Sequence, residues 1–255
     1  MTQHTQKIAL VTGSSRGLGK NTALTLAQKG IDVIVTYRSS EAEANAVVST
    51  IESMGRKAVA LQLDSANTQT FKDFVGQVKQ SLQAVWQAEH FDFLVNNAGI
   101  GLSQPFSEIT EDDFDHLFNI HVKGVFFLTQ KLLPLINDGG HIVNLSSGLA
   151  RFSLPGQSAY ASAKGAVEVL SRYLAKELGA RQIRVNVIAP GAIATDFGGG
   201  AVRDNSQMNQ FIASQTALGR VGLPDDIGGA IASLLSEDSR WINGQRIEVS
   251  GGMFL

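Results

Sequence analysis

The chain has 255 residues, 44% of them hydrophobic, and a formal net charge of -2. That length suits one large α/β domain that buries roughly three-quarters of its unfolded surface, so no disulfide or metal staple is needed. The lack of cysteine excludes disulfides, thiolate metal sites and cysteine nucleophiles. The near-neutral charge offers neither a nucleic-acid patch nor a polybasic membrane signal.

Met1 to Gln6 is short and polar and shows no signal peptide, and no apolar run approaches the roughly 18 residues of a spanning helix. A cytoplasmic protein is expected. Lys7 to Thr12 is a short apolar run ending at a glycine, which reads as a buried parallel strand. Helical spacing follows over Gly17 to Gly30, then a strand over Asp32 to Thr36 and a helix through Ala42 to Met54. The cycle repeats with a strand at Ala58 to Leu63, a helix near Thr70 to Gln87 and a strand at Phe91 to Val95. A long helix is predicted around Glu111 to Ile136, then a strand at His141 to Leu145, a helix near Ala159 to Leu178 and a strand at Ile183 to Ile188. Pro190 to Asn205, with its run Gly198-Gly199-Gly200, reads as a mobile loop, and a substrate lid is expected around 194–215. A helix from Asp225 to Leu235 and a strand from Gln245 to Val249 close the chain. Alternating strands and helices imply a single-domain Rossmann-type fold: a doubly wound parallel sheet of about seven strands, helices on both faces, with ligands at the carboxyl ends of the strands.

After the first strand, Gly13, Gly17 and Gly19 frame Ser15, Arg16 and Leu18 in a loop that opens a helix. Such a loop lets a backbone approach a pyrophosphate and aims helix N–H groups at it, although it can also be an ordinary tight turn. The second strand ends in Thr36-Tyr37-Arg38-Ser39-Ser40, without the acid that accepts from a ribose 2′-hydroxyl. Arg38 and Ser39, with Arg16 opposite, suit a 2′-phosphate, so NADP(H) is expected over NAD(H); the plainer alternative is that both arginines are surface charges.

Of three tyrosines, only Tyr160 has a lysine four residues on, Lys164, which places phenol and ammonium on one helix face. Bringing a phenol from a pKa near 10 to neutrality needs roughly 4 kcal/mol. A cation about 4 Å away at an effective dielectric near 20 supplies about that. Ser147 follows a buried-strand pattern, 13 residues ahead of Tyr160, and its hydroxyl can donate to a substrate carbonyl oxygen or merely cap a turn.

Along essentially its whole length the chain resembles the short-chain dehydrogenase/reductase family. The matching pieces are Thr12 to Gly19, Asp64, Asn96-Asn97-Ala98-Gly99, Ser147, Tyr160 to Lys164, and Asn186 with Pro190-Gly191. The resemblance implies that Asp64 and Ser65 meet the adenine, and that Asn97, Ala98 and Gly99 support the sheet and the adenosine ribose. It also implies that Lys164 holds the nicotinamide ribose, while Pro190, Gly191, Ile193 and Thr195 line the nicotinamide. Arg38 marks the NADP-preferring branch, and homotetramers or dimers are expected, the helices near 111–136 and 159–178 packing between subunits.

One position departs from the family. Its usual catalytic asparagine is replaced by His121, which either maintains a water relay to Lys164 or only packs. The expected reaction is reduction of a carbonyl or oxidation of an alcohol, 3-oxoacyl thioesters included, with Tyr160 as proton donor. Leu149, Arg151, Phe152 and Phe197, together with Phe211, are expected to shape the substrate pocket, and Arg151 and Arg203 are candidates to meet an acyl carrier. The competing class is a nucleotide-binding regulatory protein with weak or lost catalysis.

Overall fold

The structure is a computed structural model that describes residues 6–255; Met1 to Thr5, on which most of the leader expectation rests, lie outside the described residues. Seven strands form one sheet: β1 Ile8–Val11, β2 Asp32–Tyr37, β3 Ala58–Gln62, β4 Phe91–Asn96, β5 Ile136–Leu145, β6 Arg184–Pro190 and β7 Arg246–Val249. They run in the order β3-β2-β1-β4-β5-β6-β7 and every pairing is parallel. The order reverses between β1 and β4, which makes the ends of these two strands the expected ligand crevice.

The strands are apolar on both sides because both faces are covered. Val11, Val33 and Val35 pack against α1 (Gly17–Gln28), α2 (Glu41–Ser53) and a C-terminal helix, Pro224–Leu235. Leu10, Ile34 and Leu94 pack against α3 (Phe71–Ser81) and the helices that follow β4. At roughly 25 cal/mol per Å², each fully buried Leu or Ile here stabilises the fold by about 2 kcal/mol.

Two elements differ from the sequence expectation. The long helix predicted over 111–136 is broken into α4 (Glu111–Phe118), a π-helical segment Asn119–Gly124, α5 (Val125–Leu132) and a 3₁₀ turn. Apolar spacing cannot report the extra residue of a wide turn, and such turns often accompany functional sites. A Cβ on Gly124 would sit 2.1 Å from the Ser65 carbonyl, so glycine there lets the wide turn press on the loop after β3. Strand β5 starts at Ile136, five residues before the predicted start at His141, because Ile136 pairs with Phe91 ahead of an irregular Asn137 to Gly140.

The catalytic-face helix α6 (Ser158–Glu177) follows β5. The segment predicted as loop after Pro190 is partly folded: a 3₁₀ turn over Phe197–Gly200, then α7 (Ala201–Asp204) and α8 (Ser206–Ser214), whose first turn is capped by the Asn205 side chain. Gly198, Gly199 and Gly200 all have φ between +60 and +79°, which explains the glycine run. Pro224–Leu235 is α9. No helix among the described residues is long and apolar enough to cross a membrane.

Candidate active site

The first half of the site is built where β1 and β4 end. Thr12 is buried, and its Oγ1 accepts from the backbone N–H groups of Asn97 (2.9 Å) and Ala98 (3.0 Å). Asn97 Nδ2 donates to the carbonyls of Thr12 and Gly13, which locks the two strand ends together. Gly13 lies at φ +62°, and a Cβ on Gly19 would fall 2.2 Å from the Gly13 carbonyl oxygen. The loop therefore admits only glycine at these two positions. Helix α1 begins beyond it with no side-chain cap and no acid in its first turn. Its free N–H groups and positive end fit a pyrophosphate, and Gly13, Ser15, Arg16, Gly17, Leu18 and Gly19 surround that point.

At the end of β2, Arg38 and Ser39 are exposed, and Arg38 forms no ion pair among the described residues. Arg16, the second expected 2′-phosphate ligand, instead pairs with Asp196 at 3.4 Å across the mouth of the loop. Sequence reasoning missed Asp196; nothing local marks a partner 180 residues away. Asp64 is exposed and its carboxylate accepts from the Ala66 N–H, and Ser65 follows it against Gly124. Pro190 ends β6 and Gly191, Ile193 and Thr195 follow it, where a Cβ on Gly191 would meet Ser250 Cα at 2.9 Å. These features fit NADP(H), its 2′-phosphate toward Arg38.

The second half stands on α6 and the end of β5. Tyr160 and Lys164 are both buried, with the Lys164 Nζ 5.6 Å from the Tyr160 ring centroid and donating to the Leu145 carbonyl at 2.7 Å. Ser147 caps a turn, one of the two roles considered for it. Its Oγ accepts from the Leu149 N–H at 3.2 Å, and its hydroxyl lies near enough to Tyr160 to favour the phenolate. The electrostatics differ from the simple tuning argument. Burial raises the phenol above its ordinary value, and only the Ser147 hydroxyl works against this. Burial also pushes Lys164 down to about 7. Desolvation thus outweighs the lysine's pull, and the chain presents a neutral phenol suited to donating a proton.

His121 stands edge-on to Tyr160, ring centroids 5.3 Å apart and planes at 88°. Its Nε2 lies 2.7 Å from the Ile100 carbonyl oxygen and 3.2 Å from the Ile100 nitrogen. The shorter contact assigns the proton to Nε2, which leaves Nδ1 a buried lone pair with no partner among the described residues. Burial, with the nearby Lys164 charge, drives this imidazole down to about 3, so it is neutral.

The pocket wall gathers only some of its expected members. Leu149 packs beside Tyr160 with Ile100, Leu102 and Leu117. Phe197 lies against Gly101, its ring centroid 6.0 Å from that of Tyr160. Phe152 instead turns into a C-terminal cluster, tilted on Phe254 at 4.7 Å. Arg151 is drawn away as well: it chelates Glu248 with two 2.7 Å bonds and donates to the carbonyls of Met253 and Phe254. Arg203 is likewise held by its neighbour Asp204. Among the described residues no group of acids or histidines could hold a metal ion.

Comparison with known proteins identifies the family. Residues 13–254 match the family model described as enoyl-(acyl carrier protein) reductase. A hydroxynaphthalene reductase-like protein, Arp2, from Metarhizium brunneum is 38% identical, over 96% of this chain and 94% of its own. Among solved structures, the promiscuous reductase LugOII, described as catalysing keto-reduction at C1 during lugdunomycin biosynthesis, superimposes with a TM-score of 0.93 at 36% identity over 100% of both chains. The angucycline C-6 ketoreductase LanV with bound NADP gives 0.92 at 34% identity over 97% of this chain and 95% of its own. The chain belongs to the short-chain dehydrogenase/reductase family, and it is an oxidoreductase of that family.

Proposed function

We propose that the chain is an NADP(H)-dependent carbonyl reductase whose proton donor is Tyr160. The observation that carries this reading is the buried Tyr160–Lys164 pair with the half-buried Ser147 at the carboxyl end of the sheet, beside an uncapped helix N-terminus and an acid-free β2 end. When bound, the reduced nicotinamide supplies the hydride. The glycine loop and the α1 N-terminus hold its pyrophosphate, Arg38 and Ser39 its 2′-phosphate, Asp64 and Ser65 its adenine. Asn97 to Gly99 support the adenosine ribose, and Pro190 to Thr195 line the nicotinamide. Tyr160 Oη gives its proton to the carbonyl oxygen, and the Ser147 hydroxyl donates to the same oxygen and orients it. Lys164 balances the charge left on the phenol. In the alcohol-oxidising direction the same three groups run in reverse.

The substrate we propose is a ketone on an aromatic ring system. Phe197, Leu149 and the Tyr160 face give it an apolar wall. Two relatives are named for reduction of a hydroxynaphthalene and of an angucycline. The turn and helices from 194 to 215 act as the lid over it. We further propose a cytoplasmic homotetramer: α4, α5 and α6 leave Phe114, Phe126, Phe127, Val169 and Tyr173 exposed, an apolar set for a partner subunit to cover.

The test is loss of NADPH absorbance over a panel of aromatic ketones, quinones and 3-oxoacyl thioesters, with NADH and Tyr160→Phe in parallel. Turnover that prefers NADPH and falls by at least about 10²-fold in the variant is expected. An equally active Tyr160→Phe enzyme would remove the phenol from the mechanism, and NADPH binding without turnover of any ketone would favour the regulatory class.

A further inference from the structure

Three consecutive residues at the end of β5 are each gripped by a charged side chain. Lys164 Nζ donates to the Leu145 carbonyl at 2.7 Å, and Glu168 Oε1 accepts from Ser146 Oγ at 2.6 Å. Arg246 Nη2 donates to the Ser147 carbonyl at 3.2 Å. Lys164 and Glu168 are successive i, i+4 positions on one face of α6, whereas Arg246 comes from β7, beyond β6 in the sheet.

Arg246 uses all three of its nitrogens. Nε meets Glu168 at 2.6 Å and Nη1 meets Glu248 at 2.9 Å, while Nη2 holds the Ser147 carbonyl. Glu248 is in turn chelated by Arg151, which ties the whole set to the last residues of the chain. The Arg246 and Glu168 side chains are only 22% and 13% exposed, so this is a desolvated, planar arrangement rather than a loose surface pair.

We propose that Arg246 and Glu168 are positioning residues for Ser147. The Ser147 hydroxyl has one rotatable bond to its backbone, so the placement of the peptide decides where that hydroxyl meets a substrate oxygen. The β-ladder ends at Leu145, where β5 pairs with Ile188 of β6. Past that point Ser146 keeps one backbone bond to Ile188 and the Ser147 carbonyl accepts from the Ala150 N–H at 3.1 Å, and the side-chain grip comes from Glu168 on the Ser146 hydroxyl and Arg246 on the Ser147 carbonyl. A planar fork aimed at three acceptors is a geometry that lysine does not reproduce. The inference rests on Ser147 acting on the substrate.

The experiment is a double-mutant cycle. Arg246→Met, Arg246→Lys and Glu168→Gln are made alone and together with Ser147→Ala, and kcat, KM for the ketone and the NADPH dissociation constant are measured. Turnover is expressed per NADPH-binding site, so unfolded protein is not counted. Arg246→Met is expected to lower kcat by about ten- to a hundredfold, the scale of an ångström-sized misplacement, with NADPH affinity unchanged. Arg246→Lys is expected not to rescue it, and Glu168→Gln to lose several-fold. In the Ser147→Ala background each further loss should vanish, because the group being positioned is gone. The same fold-loss in both backgrounds, or an undiminished kcat, overturns the proposal. If Arg246→Met yields no binding-competent protein, the Glu168→Gln cycle decides by the same criterion. A Ser147→Ala enzyme with full turnover overturns the role of Ser147 itself, whereas a crippled Ser147→Ala beside an unimpaired Arg246→Met overturns only the positioning role.

Discussion

His121 and Tyr160 meet edge to face, with ring centroids 5.3 Å apart, and the imidazole is anchored to the backbone of Ile100 through Nε2. The anchor ties the π-helical segment to the loop after β4, beside the Tyr160 phenol proposed as proton donor. A Cβ on Gly99 would lie 2.6 Å from the His121 ring, so the glycine of the Asn-Asn-Ala-Gly stretch makes room for it. His121 thus couples the cofactor-side loop to Tyr160 by contact, and its unpaired Nδ1 gives it one lone pair for a solvent molecule.

His121→Ala removes the ring that backs Tyr160 and takes the Nε2 donor from the Ile100 carbonyl. Stability should fall by about 1–3 kcal/mol and kcat several-fold, with NADPH affinity intact. His121→Phe keeps the edge-on ring but no nitrogen, and so separates the two contributions. If His121→Phe turns over like the wild type, packing alone accounts for the residue; if it matches His121→Ala, the nitrogens matter.

Lys164 is the group whose titration should be visible near neutrality, since burial lowers it to about 7 while His121 lies far below. The charged lysine is the form that offsets a phenolate, so reduction should fall as pH rises through about 7. The measurement is kcat/KM with NADPH as the varied substrate, which reports the chain before the cofactor binds. The limb should persist in His121→Phe. A limb that disappears in that variant would assign it to the histidine instead.

The sheet, the glycine loop and the Ser147–Tyr160–Lys164 group were all legible because each is written locally: apolar runs, a loop between strand and helix, an i+4 pair. Glu168 was within reach by the same rule, one helical turn past Lys164. Arg246 and Asp196 were not, since their partners come from distant parts of the chain and no spacing encodes them. The fate of Arg151 was hidden for a related reason. A lone arginine shortly after Ser147 looks available to a substrate until the fold brings Glu248 and the C-terminal carbonyls beside it. The break in the 111–136 helix escaped because one extra residue in a wide turn leaves the apolar pattern almost unchanged.

Arg38 is exposed at the end of β2, and the other candidate arginine, Arg16, is engaged by Asp196. Discrimination for the 2′-phosphate should therefore rest mainly on Arg38. Arg38→Asp is expected to weaken NADPH binding by about ten- to a hundredfold, because a charge-assisted hydrogen bond to the phosphate gives way to a like-charge repulsion, and to improve NADH relative to it. Arg16→Ala should cost less. Equal losses from the two, read by fluorescence titration of both cofactors, would show that Arg16 leaves Asp196 when the phosphate arrives.

Acid should unfold this protein through its interior histidines. His141 is fully buried in β5, its Nε2 accepting from Asn186 at 2.8 Å, and burial together with the Arg184 charge lowers it to about 3. His121 is lowered equally. A base with a depressed folded pKa binds its proton more readily in the unfolded chain. Stability is therefore intact above the ordinary imidazole value of about 6.5 and lost as pH falls below it, down to the folded value. Each histidine contributes a slope approaching about 1.4 kcal/mol per pH unit in that window, so the two together should remove about 2.5 kcal/mol between pH 7 and 5.5. Urea unfolding at the two pH values measures the loss. His141→Gln, which retains an acceptor for Asn186 without a titratable ring, should roughly halve the difference even if its stability at pH 7 is lower. An unchanged difference in that variant would mean that His141 does not take up its proton on unfolding, and that other groups drive the acid transition.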